Sequence, residues 1–268
     1  MQVSQAYIQQ FVTQLDTLDD KTRRIFQIQV EKLNLEERLQ QGEADAFQEV
    51  VNLARSIVPA NSRLASAMSA GYYDRVRTDS KPKGKYSAVS YDTVDYDEID
   101  AAYYSIAKEY ASGKATVPLY SLMGDTSSRF TRYASNETVR RNAASDPARP
   151  KFAIVPSPTA CVFCLMRASR GYTYPDSTSV ESHNNCKCQA IQVYGNSTIQ
   201  GYDPDDYLEG YTEASKAFRD GEYSQDMKLR IEAAKKKHDE AYASGETTKK
   251  WDDTNAILMI WREQRGNK

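Results

Sequence analysis

The chain has 268 residues, of which 40% are hydrophobic and 27% are charged, a composition typical of globular proteins with polar helices. Its net charge of −2 excludes a general electrostatic attraction to nucleic acid, and its mean hydropathy is low, at −0.70. No apolar run approaches the roughly 20 residues of a membrane span, and the polar N-terminus is unlike a signal peptide. We therefore expect synthesis in a reducing cytosol and no membrane partner. In that compartment, cysteines bind metals more often than they form disulfides.

The N-terminal third predicts long amphipathic helices. Four apolar residues follow the spacing i, i+3, i+4, i+7, which places them on one helix face: Ile8, Phe11, Val12 and Leu15. A second apolar set repeats this pattern and stops before a proline at position 59: Phe47, Val50, Val51, Ala54, Ile57 and Val58. We predict two or three helices over residues 4 to 58, packed as a hairpin, with turns near Asp19–Asp20 and Gly42.

Residues 78 to 96 predict an irregular loop or arm. The segment lacks periodicity and contains a proline, a glycine and several small polar residues. Its tyrosines recur every five residues, at Tyr86, Tyr91 and Tyr96, and tyrosine suits interfaces that keep one edge in water. The neighbouring acidic residues disfavour nucleic acid. We predict that this arm contacts a partner protein and gains order there.

The remainder of the chain predicts further helices and two short strands. A helix begins near residue 97 and stops at Gly113, and the following stretch is helical in pieces, broken near Gly124 and Pro147. Two β-prone runs, KFAIVPS and CQAIQVYG, flank a cysteine-rich segment. After that segment, helices are predicted over residues 207–219, 227–242 and 256–265.

The cysteine-rich segment predicts a zinc site. It holds all four cysteines and one of the two histidines, as Cys-x2-Cys, then eighteen residues, then His-x2-Cys-x-Cys. Nitrogen and sulfur donors at such spacing suit a tetrahedral structural zinc. LMRASRG predicts a short helix that leaves the first pair and ends at Gly171. We predict one zinc per chain, with five candidates for four ligand positions: Cys161, Cys164, His183, Cys186 and Cys188.

Other chemistries need residues that the segment lacks or orders differently. Because the cysteine count is even, a disulfide pair in an oxidising medium is an alternative. A catalytic zinc would need an acid or base beside it, and Glu181 lies two residues before His183. Zinc deaminases, however, place their glutamate two residues after the histidine and take two cysteines from further downstream. In this chain the glutamate precedes the histidine, and the Cys-x2-Cys pair lies before both of them.

The two histidines of the chain are also poorly placed for catalysis. An HNH-type nuclease would need a second histidine as base, and His238 lies in a lysine-rich helix. A Ser-His-Asp triad would have to use the same two histidines. The STS at positions 177–179 is not followed by the E-x-E of ADP-ribosyltransferases. We therefore predict no catalytic residue and no enzymatic activity.

These patterns define a mainly α fold class. It comprises a long N-terminal helical hairpin, a small zinc-stapled α+β module with short strands, and C-terminal helices. The predicted division is an N-terminal helical region (1–77), the arm (78–96), central helices (97–148), the zinc-binding module (149–200) and C-terminal helices (201–268).

The cysteine motif resembles that of minor capsid proteins of tailed phages, the MuF-like or head-morphogenesis group. Members infecting actinobacteria and related hosts often carry C-x-F-C-x-M-x-A-S-R-G followed by H-x-x-C-x-C. The first half is matched by Cys161, Phe163, Cys164, Met166, Ala168, Ser169, Arg170 and Gly171, and the second half by His183, Cys186 and Cys188. The motif covers about 40 residues, and the helical regions before and after it also agree with this family.

The resemblance implies a structural role in the virion. Such proteins associate with the portal vertex or the capsid interior, assist head assembly, and are present in the host cytoplasm only during assembly. The expected partners are the portal protein or the major capsid protein, with packaged DNA as an additional contact. The alternative is a zinc-dependent nucleic-acid-binding or nuclease-like protein, in which Arg167, Arg170 and Lys187 beside the cysteines contact phosphate.

Overall fold

A computed structural model describes residues 2–158, 160–173, 180, 187–245 and 247–266, and it confirms a mainly helical fold. The elements in chain order are β1 (Gln2–Val3), α1 (Gln5–Lys32), α2 (Leu35–Gln40), α3 (Ala44–Ser80), α4 (Tyr96–Ala111), α5 (Leu119–Ser145), β2 (Lys151–Val155), α6 (Val162–Ala168), β3 (Gln189–Val193), β4 (Thr198–Ile199), α7 (Pro204–Asp220), α8 (Gln225–Ala243) and α9 (Asp253–Gln264). None of the helices in the described ranges combines the length and apolar character of a membrane span.

The chain forms two compact units. The first contains Met1–Val155 and Tyr172–Tyr202, and the second contains Pro156–Gly171 and Asp203–Lys268. The first unit therefore comprises α1 to α5 and all four strands, and the second comprises α6 to α9. The cysteine segment contributes residues to both units.

Helix α1 is longer than the sequence pattern indicated. The turn predicted near Asp19–Asp20 is wrong, because α1 continues without a break to Lys32. Its buried positions recur every three or four residues and include two polar ones: Ile8, Phe11, Leu15, Asp19, Thr22, Phe26 and Val30. Asp19 faces inward because the α5 side chain Arg132 binds it there, as described below. The turn predicted near Gly42 is confirmed, since α2 ends just before it and α3 begins just after it.

Helix α3 continues through a proline. We expected it to end before Pro59, but it runs on to Ser80 with Pro59 buried inside it. A proline in a helix interior removes one hydrogen bond and costs about 3 kcal/mol. Packing after the proline compensates for this cost, because the second half of α3 buries a face of mostly small residues: Ser62, Ala65, Ser66, Ser69, Ala70, Tyr73 and Val76.

Helix α5 is the centre of the first unit. The predicted break at Gly124 is wrong, because α5 runs unbroken from Leu119 to Ser145, whereas its end before Pro147 is confirmed. A Cβ atom at position 124 would lie 3.1 to 3.4 Å from side-chain and backbone atoms of Arg23 on α1. The glycine therefore allows α1 and α5 to approach closely and does not interrupt the helix.

Small hydroxyl-bearing residues join α3 to α5. Ser69 Oγ donates to Ser135 Oγ at 2.7 Å, and Thr138 Oγ1 donates to Ser66 Oγ at 3.0 Å. All four side chains are buried. Small residues allow the two helix axes to approach, and the buried hydroxyls are satisfied by each other.

The two predicted strands are confirmed as an antiparallel pair. β2 and β3 pair with Lys151 opposite Val193 and Val155 opposite Gln189. Every residue of β3 is buried. A separate two-residue parallel pair joins β1 to β4.

The segment between α3 and α4 packs on its own chain. The Asn142 side chain on α5 accepts from Val89 N and donates to Val89 O, both at 2.8 Å. Tyr86 OH donates to the same side-chain oxygen, and Ser66 Oγ donates to Tyr91 O. The expectation that this arm needs a partner to become ordered is therefore wrong. Its contact with a partner protein stays a prediction.

The second unit has its own core between α6, α7, α8 and α9, which confirms the predicted C-terminal helices. Trp261 belongs to this core and packs against Tyr211 of α7, with ring centroids 6.0 Å apart. Gly210 on α7 makes room for it, because a Cβ there would lie 2.7 Å from Trp261 Nε1.

We expect alanine substitution at two helix glycines to have opposite effects on stability. Gly210→Ala should destabilise the second unit by about 1 to 3 kcal/mol, because the new methyl group overlaps the rigid indole. Gly71→Ala on α3 should stabilise the first unit by up to about 1 kcal/mol, because no atom lies within 4 Å of the added Cβ and alanine favours helix. Thermal and urea denaturation measure both effects. A destabilised Gly71→Ala variant or an unaffected Gly210→Ala variant would contradict this packing.

Candidate metal centre and its anchoring contacts

The structure describes three of the five predicted zinc ligands. Cys161 and Cys164 belong to the second unit, and Cys188 belongs to the first. His183 and Cys186 lie outside the described residues. Among the residues that the structure describes, no group of three or more His, Cys, Asp or Glu is placed to hold a metal. The ligand set therefore stays a prediction.

The first cysteine pair is positioned by α6. Cys161 immediately precedes the helix and Cys164 lies in its first turn, so the helix begins earlier than predicted from LMRASRG. Cys161 O accepts from Leu165 N at 3.1 Å, which fixes the first turn. Cys161 is half-buried and Cys164 is buried. A spacing of three residues places the two thiols on neighbouring positions of one helix face, as a Cys-x2-Cys pair of ligands requires.

Cys188 is positioned by a side chain from α5. Asn136 Nδ2 donates to Cys188 O at 3.2 Å, and Asn136 Oδ1 accepts from Ala190 N at 2.7 Å. The amide of Asn136 thus pairs with the backbone as a neighbouring strand would. Gln189 Nε2 adds a hydrogen bond of 3.0 Å to Ser135 Oγ. The start of β3, and with it Cys188, is fixed against α5.

Lys187, next to Cys188, forms an ion pair with a residue of α1. Its Nζ lies 3.3 Å from Asp16 Oδ1, and Arg132 Nη2 lies 2.6 Å from the same oxygen. Arg132 is fully buried and also binds Asp19 at 2.9 Å. Burial raises the pKa of Asp19, and the Arg132 guanidinium opposes that rise. Lys187 is therefore paired with α1, although both side chains of this pair remain partly exposed.

Two of the three basic residues beside the cysteines are buried or paired. Arg167 is only 7% exposed, and Lys187 is paired with Asp16. Arg170 is exposed. This arrangement disfavours phosphate binding by these three residues, because buried or paired cations contribute little to it.

Asp146 is a buried carboxylate that links the end of α5 to α3 and to the residue after β3. No sequence pattern indicated it. Asp146 follows α5 and its side chain is fully buried. It accepts from Arg77 Nε at 2.9 Å, Tyr194 OH at 3.0 Å and Tyr73 OH at 3.2 Å. Burial alone would raise the pKa of Asp146. The hydrogen bonds from Arg77, the Ala148 amide and Tyr194 outweigh that effect, so the pKa lies below its usual value of 3.8.

Comparison with known proteins identified one family. A family model described as VG15 protein matches residues 2–214, which includes the first unit apart from Met1 and the segment with the cysteine motif. No curated protein and no solved structure matches the chain.

The lowered pKa of Asp146 predicts acid-sensitive stability. A carboxylate with a lowered folded pKa contributes stability above its unfolded pKa, and that contribution is lost as the pH falls through the folded value. Asp146→Asn should therefore cost about 3 kcal/mol near neutral pH, because it removes a buried charge that is paired with the half-buried Arg77. Between about pH 5 and about pH 3, the variant should lose less stability than the wild type.

Urea denaturation across that range measures both effects. Asp79→Asn, an exposed change on the same helix as Arg77, is the matched control and should alter the free energy of unfolding by less than about 0.5 kcal/mol. Parallel acid profiles for Asp146→Asn and the wild type would contradict this account.

Proposed function

The chain belongs to the VG15 family, a family of viral and phage proteins, and we propose that it is a structural protein of a tailed-phage virion. The match over residues 2–214 is the observation that carries this proposal. Within the virion, we assign it to the minor capsid or head-morphogenesis proteins, on the resemblance of its Cys-x-Phe-Cys and His-x2-Cys-x-Cys motifs. It acts at the portal vertex or the capsid interior, bound to the portal or the major capsid protein.

Several features of the described residues support a structural role. Two carboxyl groups with perturbed pKa values, Asp19 and Asp146, are bound within the fold to the buried Arg132 and the half-buried Arg77. Such pairs fix helices and strands in position. Perturbed groups at catalytic sites usually line a cleft where substrate can reach them.

A structural zinc is part of the proposal. Four of the residues Cys161, Cys164, His183, Cys186 and Cys188 would hold it, since sulfur and nitrogen donors match the preference of zinc. The bound ion would hold the two halves of the cysteine segment together. The buried positions of Cys164 and Cys188 suit thiolates that bind a metal inside the protein. Asn136 and Lys187 would orient the second half of the ligand set.

Metal analysis tests the zinc. The purified chain should contain about one zinc, and Cys161→Ser combined with Cys164→Ser should remove it, because a structural site needs four ligands. His238→Gln changes the histidine outside the segment and is the control, which should keep the metal. A chain without zinc, in which Cys161 or Cys164 forms a mapped disulfide, would contradict the proposal.

Mass spectrometry of purified particles tests the location. The chain should be found in low copy number in both empty and full heads of its phage, and it should show no enzymatic turnover. Absence from particles would refute the virion role. Zinc-dependent cleavage of nucleic acid, lost in Glu181→Gln while the metal is retained, would support the alternative of a zinc nuclease.

A further inference from the structure

Four exposed basic side chains lie at the end of α3 and in the turn after α5. The KPKGK run at positions 81–85 contributes Lys81, Lys83 and Lys85, and the turn between α5 and β2 contributes Arg149. We call these four residues the basic patch. None of them forms an ion pair with a residue that the structure describes. Their charges are therefore free to act on a ligand in solvent.

Contacts around Arg77 bring the two segments of the basic patch together. Arg77 Nη2 donates to Gly84 O at 2.8 Å, and Arg77 Nε donates to the Asp146 carboxylate at 2.9 Å. A Cβ at Gly84 would lie 3.7 Å from Pro147 Cβ. The backbone of Arg149 bonds to Asp146 O at 2.8 Å. The lysine run and the turn that carries Arg149 are therefore neighbours in space.

The carboxylates closest to the basic patch are paired, bonded or on another side of α3. Asp146 is fully buried and paired with Arg77, so the two charges cancel. Asp74 is half-buried and accepts from Ala88 N at 2.8 Å. Asp79 lines a cavity with residues of β1, and it lies about 200° from Arg77 around the helix axis. The patch therefore presents an excess of positive charge to solvent.

The acidic residues that disfavour nucleic acid in the sequence of the arm lie away from this patch. Asp92 pairs with Arg63, and the Asp95 side chain caps α4. Arg63 precedes Arg77 by 14 residues, which separates them by about 21 Å along α3. These acids have partners within the fold, so they do not argue against a polyanion at the basic patch.

The composition of the basic patch favours a phosphate backbone over a protein partner. Protein–protein interfaces are depleted in lysine and have an apolar centre, and residues 81–85 contain no large apolar side chain. Interfaces with nucleic acid are polar and strongly positive. Lysine carries a point charge on a flexible stem, so it can reach phosphates without matching one fixed geometry.

We infer that the basic patch binds the phosphate backbone of double-stranded DNA inside the phage head, independently of base sequence. This inference rests on the proposed virion role, and it adds the surface by which the chain contacts the packaged DNA.

The salt dependence of duplex binding by the full-length chain tests the basic patch. Affinity for a labelled duplex of random sequence should fall on the order of a hundredfold between about 50 and about 200 mM salt. The reason is that four neutralised phosphates give a slope of about −3.6 for log affinity against log salt. Combining Lys81→Gln, Lys83→Gln and Lys85→Gln should reduce that slope to about −0.9, because one cation remains.

A second lysine triplet provides the matched control. Lys235→Gln, Lys236→Gln and Lys237→Gln together change the net charge equally on α8, where acidic residues lie among the lysines. This variant should keep the wild-type slope. Both triple variants should keep the wild-type melting temperature, since exposed substitutions seldom alter stability, and this separates binding from folding.

Three results would overturn the DNA contact and leave the virion role intact. They are equal salt slopes for the patch variant and the control, no duplex binding at about 50 mM salt, and tighter binding of polyglutamate than of the duplex. The last result would assign the basic patch to an acidic protein segment. Absence of the wild-type chain from particles would overturn both the DNA contact and the virion role.

Discussion

The first unit depends on the buried polar side chains of α5. This helix is surrounded by α1, α3, α4 and the β2–β3 pair, and yet much of its buried surface is made of hydroxyl, amide and charged groups. Burying such groups is unfavourable unless each finds a partner. Arg132 binds α1, Ser135 binds α3 and β3, Asn136 binds β3, and Asn142 binds the segment before α4. Each of these neighbouring elements therefore has its own polar contact to the same helix.

This arrangement restricts how the helices can slide. A purely apolar interface tolerates small shifts, because one methyl group can replace another at little cost. Hydrogen bonds such as the one between Ser69 and Ser135 are lost with a shift of one residue, and both buried hydroxyls would then be unsatisfied. The same reasoning applies to Asn136, which bonds to the backbone on both sides of Gln189. The position of Cys188 thus follows from the register of α5.

Apolar periodicity predicted the elements whose inner face is apolar. It correctly indicated α4, α7, α8, α9 and the two strands, and the start of α1. It failed for α5 and for the second half of α3, where the inner face consists largely of serine, threonine, asparagine and alanine. The helix breaks predicted at Pro59 and Gly124 were wrong for a related reason, because packing outweighs the local helix preference at both positions. The cysteine spacing pointed to a metal site from local sequence. Its anchors, Asn136 and Asp16, lie more than 50 residues away in the sequence and could not be inferred from it.

Packing within each unit explains some of the glycines in the helices, but not all of them. Gly124 and Gly210 are explained by the helices that pack on them within their own unit. Several buried polar groups of α5, such as those of Asn136 and Asn142, are likewise explained by their partners in the first unit. At Gly71, by contrast, no atom lies within 4 Å of an added Cβ, so packing does not require a glycine at that position. Packing within a unit therefore requires glycine in a helix only where a neighbouring helix approaches its Cα, as it does at Gly124 and Gly210.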